Sequence, residues 1–306
     1  EENRLFTYLY QDDEREFAPS EDQERVLPEL SVYSFVSFFQ HPVEWYFKTI
    51  LKINFDESDD TLAENELFEL DHLQQWRIKN DLLRESDDNI QRYMLKGMKE
   101  GFLPLKNAGK VLLDELILEI AGLKASYHAS VNNRDEKNIV VDLTIKEIPV
   151  RGVIDSVYGN DFIAYTFSDN KKHLVAARLK TLLLSAAGEI SSASFIDRHG
   201  LATTMEVPDQ GTAMAILENL MDYLVSGTGA PLKFTLKAAE AAMKKSANAE
   251  KVFNAFREEA LGNKFSHTES NPYVRNLFDE GYFNGFNEDD FALILDLAGL
   301  LNLINN

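Results

Sequence analysis

The sequence predicts a mixed α/β fold, in which helices flank a sheet. Three observations predict it: a helix-rich first part, three short strands joined by tight turns, and a second helix-rich part that contains two more strands. The 306 residues suffice for a large core, and the apolar fraction of 44% is ordinary for a globular protein. We expect a linker left from a preceding domain over 1–29, a helical subdomain over 30–130 and a sheet-containing core with C-terminal helices over 131–306.

Two short helices rich in aromatic residues open the predicted helical subdomain. Ser31 or Ser34 can cap the first helix, and Pro42 suits the first turn of the second. The aromatic side chains recur at helical spacing, which favours core packing over a platform for stacked nucleobases. These aromatic residues are Phe35, Phe38, Phe39, Trp45, Tyr46 and Phe47.

Three more helices are expected in the same subdomain. Two amphipathic helices fit between Leu70 and Lys99, and Gly101-Phe-Leu-Pro-Leu105 then interrupts the pattern. Asn107 is expected to cap the third helix, which is predicted over Ala108–Gly122.

A three-stranded meander opens the predicted core. Ile139–Ile145 and Ile148–Tyr158 predict strands joined by a tight Lys-Glu turn, and Gly159-Asn160 predicts a hairpin to a third strand over Asp161–Phe167. The elements predicted after it are a helix over Leu174–Ala187, strands over Ser192–Asp197 and Ala202–Val207, and helices from Asp209 to about Ser226, near 236–246 and 248–261, and from Asn287 or Glu288 through Leu303.

The composition limits the partners and the location. A net charge of −20 repels phosphate at long range, so non-specific binding of nucleic acid by this chain alone should be weak. The absence of cysteine excludes disulfides and thiolate metal sites, and it agrees with a cytoplasmic location. The sequence shows no membrane span or signal peptide. The opening Glu1-Glu-Asn-Arg has no start-like character, so we expect the chain to be the C-terminal piece of a longer protein.

The predicted strand pair from Val150 to Thr166 resembles the site of divalent-metal nucleases of the PD-(D/E)xK type. Such nucleases carry a carboxylate on the first strand and an acid-x-Lys triplet on the second; the carboxylates hold Mg²⁺ and the lysine orients the attacking water. Asp155 stands in the first place, whereas the triplet reads Ala164-Tyr-Thr166. The resemblance therefore implies a nuclease-like scaffold whose catalytic residues have been replaced.

Six blocks of sequence occur in an order that is typical of one family. They are Leu30–Phe47, Glu66–Leu73, Gly101–Leu105 with the helix of Gly109, Val150–Thr166, Leu174–Gly188 and Asn271–Phe278. Together they resemble the C-terminal domain of the RecC-type gamma subunit of exodeoxyribonuclease V, and the likeness covers roughly 30–306. No single block is specific, but the ordered set is.

This resemblance implies a restriction-endonuclease-like core without nuclease chemistry. Related active nucleases often carry a Gly-x-x-x-His helix start whose histidine binds metal, and Leu113 stands at that position after Gly109. Leu113, Ala164 and Thr166 would thus be lost metal-site positions. Only Asp155 remains, and a single carboxylate rarely binds Mg²⁺ tightly, so we expect no metal and no other cofactor.

The family resemblance further implies a non-catalytic role inside a helicase–nuclease complex that repairs double-strand breaks and serves homologous recombination. The expected partners are the beta and alpha helicase subunits, with DNA reached through the complex and no contact with a membrane. Within this chain, five basic residues are candidate DNA contacts: Arg151, Lys171, Lys172, Arg178 and Lys180.

Two alternatives remain open from the sequence. Asp169-Asn-Lys171 is an acid-x-Lys triplet, and with Asp155 it would make an active Mg²⁺-dependent nuclease if it lay within a strand. The local residues favour a turn instead, after the strand has ended. The other alternative is a protein-interaction module that never touches DNA.

Overall fold

A computed structural model of the chain describes residues 27–55, 70–262 and 270–303. Within them it shows the predicted mixed α/β architecture, with helices packed around one six-stranded sheet. The predicted linker over 1–29 lies almost entirely outside the described residues. In the described part of the chain, no helix is both long and apolar enough to cross a membrane.

The predicted elements occur in the predicted order, and the strand Leu30–Ser31 and the helix Pro272–Asp279 are additional to them. The strands are β1 (Leu30–Ser31), β2 (Glu136–Ile145), β3 (Ile148–Tyr158), β4 (Asp161–Tyr165), β5 (Ser192–Ile196) and β6 (Ala202–Met205). The helices are α1 (Val32–Gln40), α2 (Pro42–Trp45), α3 (His72–Arg84), α4 (Ile90–Glu100), α5 (Lys106–Val131), α6 (Lys172–Ala186), α7 (Gln210–Gly229), α8 (Leu236–Ala242), α9 (Ala249–Leu261), α10 (Pro272–Asp279) and α11 (Glu288–Leu300). A π-helical segment, Tyr46–Leu51, continues α2, and a single 3₁₀ turn, Asp87–Asn89, precedes α4.

The sheet is mixed, and β3 is its longest member. Strand β2 runs antiparallel along one edge of β3, while β1 (parallel) and the end of β4 (antiparallel) share its other edge. Helix α6 crosses over to β5, which runs parallel to β4, and β6 pairs antiparallel with β5. Lys146 and Glu147 both have positive φ in the β2–β3 turn (48° and 67°), as a type I′ hairpin requires.

A β-bulge interrupts β3 just before its end. The pairing with β2 shifts by one residue between Lys137 and Ile139, and Ser156 adopts a left-handed φ of 64°. As a result Ile154 and Val157, three residues apart, both belong to the same core. The backbone N–H of Ser156 donates to the Glu136 carboxylate at 3.0 Å, which satisfies the donor that the bulge removes from the ladder.

The largest hydrophobic core lies between one face of the sheet and helices α1, α2, α6 and α7, and it extends to α8–α11. All the predicted core aromatics of α1, α2 and the π-helical segment are buried in it, so the core-packing interpretation is confirmed. Ser31 caps α1 and His41 caps α2 through Nδ1, which accepts from the Glu44 N–H at 3.0 Å. The sequence places α1 and α2 in the helical subdomain, whereas they pack with the sheet; the boundary at 130 stays a prediction.

Helices α3, α4 and α5 form the layer on the other face. Their own hydrophobic cluster is centred on residues such as Ile78, Leu82 and Leu116. A third cluster joins this layer to the sheet, where Leu83 and Tyr127 meet Ile163 and neighbouring strand residues. The helical layer therefore rests on the strands through apolar contact.

Two helix predictions need correction. Helix α5 begins at Lys106 with no side-chain cap, so Asn107 lies in its first turn and does not cap it. It also runs past Gly122 to Val131, because Tyr127 and Val131 are buried and Gly122 supplies a close contact rather than a helix end. Helix α10 was not predicted, although Asn271 as its cap and Pro272 at its start are ordinary helix signals.

Candidate functional site

A cleft of about 690 Å³ opens where β3 and β4 separate. The two strands share only two residue pairs, Val157↔Phe162 and Tyr158↔Asp161, before they diverge. The exposed face of α3 forms one wall, α6 forms the opposite wall, and the segment after β4 and the β5–β6 turn close the end. Three of the four positions expected from the nuclease resemblance line this cleft, namely Asp155, Ala164 and Thr166, so the fold brings them together.

Asp155 is the one acidic side chain that remains from the nuclease-like pattern. It lies in the bulge of β3, and its side chain is 59% exposed to the cleft. The Nζ atom of Lys180, from α6, lies 3.7 Å from its Oδ1 atom. A carboxylate so exposed gains little stability from such an ion pair, but the pair does place both charges inside the cleft.

The positions of the expected acid-x-Lys triplet carry no charge. Ala164 is half-buried on β4, and Thr166 is only 5% exposed. The Thr166 hydroxyl accepts from the Ser168 N–H at 3.0 Å and donates to the Ser168 carbonyl at 3.2 Å. Thr166 therefore shapes the turn after β4, and its side chain is engaged locally.

Leu113 does not line the cleft. It is 1% exposed and packs in the cluster of α3, α4 and α5 with Leu82 and Leu116. The position that the resemblance assigns to a metal-binding histidine is thus occupied by a residue of a hydrophobic core.

The alternative triplet Asp169-Asn-Lys171 lies in a turn between β4 and α6, as the local residues indicate. Asp169 lines the cleft, where it pairs with Arg198 at 2.9 Å. Lys171 instead pairs with Glu240 at 3.3 Å and lines a neighbouring groove. The Asp155–Asp169–Lys171 set is therefore not assembled. Among the described residues, no three His, Asp or Glu side chains are grouped so as to hold a metal ion.

The five candidate DNA contacts are spread over separate surfaces. Lys180 lines the cleft, whereas Lys171 and Lys172 line the neighbouring groove. Arg178 is half-buried in a third groove, where it donates to the Leu301 carbonyl at 3.2 Å, and burial lowers its pKa. Arg151 is exposed and paired with Asp142 at 2.9 Å, and this hydrogen bond raises its pKa. No single basic patch results, and DNA binding by these residues stays a prediction.

Two cleft residues were not singled out from the sequence. Trp76 of α3 is 50% exposed, and Arg198 lies in the β5–β6 turn. His173, in the first turn of α6, also lines the cleft and belongs to the basic stretch of sequence beside the hairpin. Burial is the main cause that lowers the pKa of His173, and repulsion from Lys172 lowers it further. The sequence does carry one signal for this site. Trp76 is a large apolar residue, and the other α3 residues that line the cleft, namely His72, Gln75 and Lys79, are polar.

Comparison with known proteins identifies the family. The family model described as "RecC C-terminal domain" matches residues 28–247, which hold the whole sheet and the cleft. The chain belongs to the RecC C-terminal domain family. This membership confirms the family that the sequence blocks indicate, and the match covers all of those blocks except Asn271–Phe278.

Relatives with assigned names agree with this family. A RecBCD enzyme subunit RecC from Haemophilus influenzae is 31% identical over 144 residues, which are 44% of this chain and 12% of the relative. The RecBCD enzyme subunit RecC from Buchnera aphidicola subsp. Acyrthosiphon pisum is 21% identical over 214 residues, 69% of this chain and 20% of the relative. The matches thus span a fifth or less of the length of these RecC proteins.

Proposed function

We propose that this chain is the non-catalytic C-terminal part of a RecC-type gamma subunit, which scaffolds the partner subunits of an exodeoxyribonuclease V complex and guides DNA strands during double-strand break repair. Membership in the RecC C-terminal domain family supports the proposal that the chain belongs to such a complex. The relatives are RecBCD enzyme subunits RecC, and this supports the same assignment. The partners would be the beta and alpha helicase subunits.

The cleft carries the proposal that catalysis has been lost. Its geometry is that of an open strand pair with a carboxylate on β3. Ala164 on β4 and Thr166 just after β4 stand where the acid-x-Lys triplet needs a carboxylate and a lysine. Asp155 faces Lys180 instead of a second carboxylate. A fold can keep its buried core after such surface chemistry is gone, and it then remains available as a wall for other components.

A cleavage assay tests this proposal. We expect no degradation of labelled single- or double-stranded DNA in the presence of Mg²⁺ or Mn²⁺, because the described residues do not group three acidic or histidine side chains so as to hold the ion. The contrary outcome is cleavage that disappears in Asp155→Ala but persists in Asp142→Ala. Asp142 is the matched control, since it is an equally exposed acid on the adjacent strand, outside the cleft.

One observation keeps the active nuclease as a second candidate. Asp155, Asp169 and Lys180 all line the same cleft, so two carboxylates and one ammonium are present there, although each carboxylate is paired with a cation. The Asp155→Ala assay decides between these candidates. Co-purification with the two helicase subunits tests the scaffold role separately.

A further inference from the structure

We propose that the cleft holds a segment of single-stranded DNA by stacking a base on the indole of Trp76, with Lys180 and Arg198 facing the backbone phosphates. This inference rests on the proposed function for its ligand class. Of the five DNA contacts expected from the sequence, the proposed site includes only Lys180. Trp76, Lys180 and Arg198 come from α3, α6 and the β5–β6 turn, and all three line the cleft.

Trp76 has the exposure of a contact residue rather than of a core residue. It is 50% exposed and belongs to none of the hydrophobic clusters that the described residues form, whereas Ile78 and Leu82 on the inner face of α3 are buried. The other tryptophan, Trp45, is 4% exposed and donates from Nε1 to Ser34. An indole left half-open on a cleft wall offers a flat apolar surface on which any nucleobase can stack.

The wall that carries Trp76 is held in place from behind. Tyr165 of β4 donates its hydroxyl to Asn80 of α3 at 2.6 Å. Lys79, the residue after Ile78, is buried and forms an ion pair with Glu119 of α5 at 2.6 Å. Because α3 is tied to both the sheet and α5, the indole is presented to the cleft without the cost of ordering a loose segment on binding.

The cations of the cleft are held by its own carboxylates. Asp155 pairs with Lys180 at 3.7 Å, and Asp169 pairs with Arg198 at 2.9 Å, so the cleft has little net charge when empty. Phosphates would compete with these carboxylates for the same cations. This arrangement disfavours indiscriminate binding of duplex DNA through charge alone and leaves stacking as the main source of affinity.

The size of the cleft favours one strand. A volume of about 690 Å³ is in the range of sites that enclose a small ligand, which suits a short run of nucleotides and not a duplex. Bases in a duplex are already stacked on their neighbours, and only an unpaired base can present its face to Trp76.

The test uses the 306-residue chain and a fluorescently labelled oligothymidylate at low salt. Trp76→Ala should weaken binding by roughly 5- to 100-fold, the range produced by losing one base–aromatic stack. Trp76→Phe should retain most of the affinity, because a ring remains. Tyr33→Ala is the matched control, since Tyr33 is an exposed aromatic residue (81%) that lines the neighbouring groove, and binding should not change.

Two further measurements sharpen this test. In a Trp45→Phe chain, Trp76 is the sole tryptophan, and its emission should be quenched by the oligothymidylate but not by a duplex. Asp155→Asn should tighten binding, because Lys180 is released to phosphate; a role for Asp155 in holding metal predicts no such gain.

The outcomes separate the inference from the proposed function. If the chain binds the oligonucleotide and Trp76→Ala binds equally well, the stacking site is overturned while a DNA-guiding role stands. Equal losses in Trp76→Ala and Tyr33→Ala also overturn it. If the chain binds no DNA at low salt, both the stacking site and the DNA-guiding part of the proposed function fail, and a docking surface for protein would take the place of the cleft.

Discussion

Arg134 joins several parts of the chain at one end of the sheet. Its guanidinium donates to the carbonyls of Ser130, at the end of α5, and Tyr158, at the end of β3, at 2.8 and 2.9 Å. It also forms an ion pair with Asp161 at the start of β4. Hydrogen bonds from Ser192 and Arg134 hold the pKa of Asp161 below its ordinary value. One planar, charged group thus satisfies helix-end and strand-end acceptors together.

Arg134→Ala should lower the free energy of unfolding by about 2–3 kcal/mol, because several acceptors lose a charged donor at once. Urea unfolding measures this difference. Arg134→Lys should recover less than half of it, since an ammonium group does not reproduce the fork. The matched control is Arg151→Ala, an exposed ion-paired arginine on β3, for which we expect a much smaller loss because solvent screens the pair.

The pH dependence of the Arg134 effect follows from Asp161. Because its pKa is lowered in the folded state, the stability that Asp161 contributes is present above its unfolded pKa and is lost as the pH falls through the folded pKa. The difference between the native chain and Arg134→Ala should therefore shrink in that acidic window. A difference that stays constant down to the acid transition would contradict the assigned ion pair.

At the scale of elements, the type and order of the helices and strands are easier to predict from the sequence than the contacts between them. The Lys146-Glu147 turn, the Gly159-Asn160 hairpin and the Asp209 cap of α7 were predictable because each is encoded in a few neighbouring residues. The length of α5 was not, because it depends on a long-range contact. A glycine in mid-helix and a glycine at a helix end look alike in sequence.

Gly122 shows what decides that contact. A Cβ added there would lie 2.7 Å from the His199 carbonyl oxygen, and one added at Gly200 would lie 2.4 Å from the Gly122 carbonyl oxygen. The hydroxyl of Ser126 donates to the Gly200 carbonyl at 2.6 Å. The backbone of helix α5 is therefore in direct contact with the backbone of the β5–β6 turn, which carries Arg198.

Gly122→Ala should destabilise the protein by about 1–2 kcal/mol. The substitution gains up to about 1 kcal/mol of helix propensity, but overpacking against a backbone carbonyl typically costs about 1–3 kcal/mol, and the clash wins. Gly229→Ala at the end of α7 is the control, because no atom of the described residues outside its own helix and its chain neighbours lies within 4 Å of the added Cβ, and it should be neutral or slightly stabilising. Thermal unfolding of both variants checks the pair; equal midpoints would refute the close contact.

At the scale of the molecule, the sequence predicted the fold class and the strand pair that borders the cleft but not the other residues of the cleft. Asp155, Ala164 and Thr166 were expected together because they belong to one predicted hairpin, and hairpin pairing is encoded locally. Trp76 and Arg198 belong to elements that are distant in sequence and become neighbours only through packing of α3 and the β5–β6 turn. The same limit explains why the five basic residues, close in sequence, separate onto different surfaces.

The third hydrophobic cluster predicts how the whole molecule unfolds. It joins α3 and α5 to the sheet through Leu83, Leu123, Tyr127, Tyr158 and Ile163, so the helical layer and the sheet should lose structure together. The two tryptophans report on the two parts, since Trp45 lies in the main core and Trp76 on α3.

Urea unfolding of two single-tryptophan variants tests this prediction. Trp76→Phe leaves the fluorescence of Trp45, and Trp45→Phe leaves that of Trp76. We expect both fluorescence transitions to coincide with the loss of helix that circular dichroism measures, and circular dichroism of the native chain is the reference. Leu123→Ala, which opens a cavity in the joining cluster and typically costs about 2–5 kcal/mol, should separate the Trp76 transition from the Trp45 transition. Separate transitions already in the unaltered cluster would instead mark the layer of α3, α4 and α5 as an independently unfolding unit.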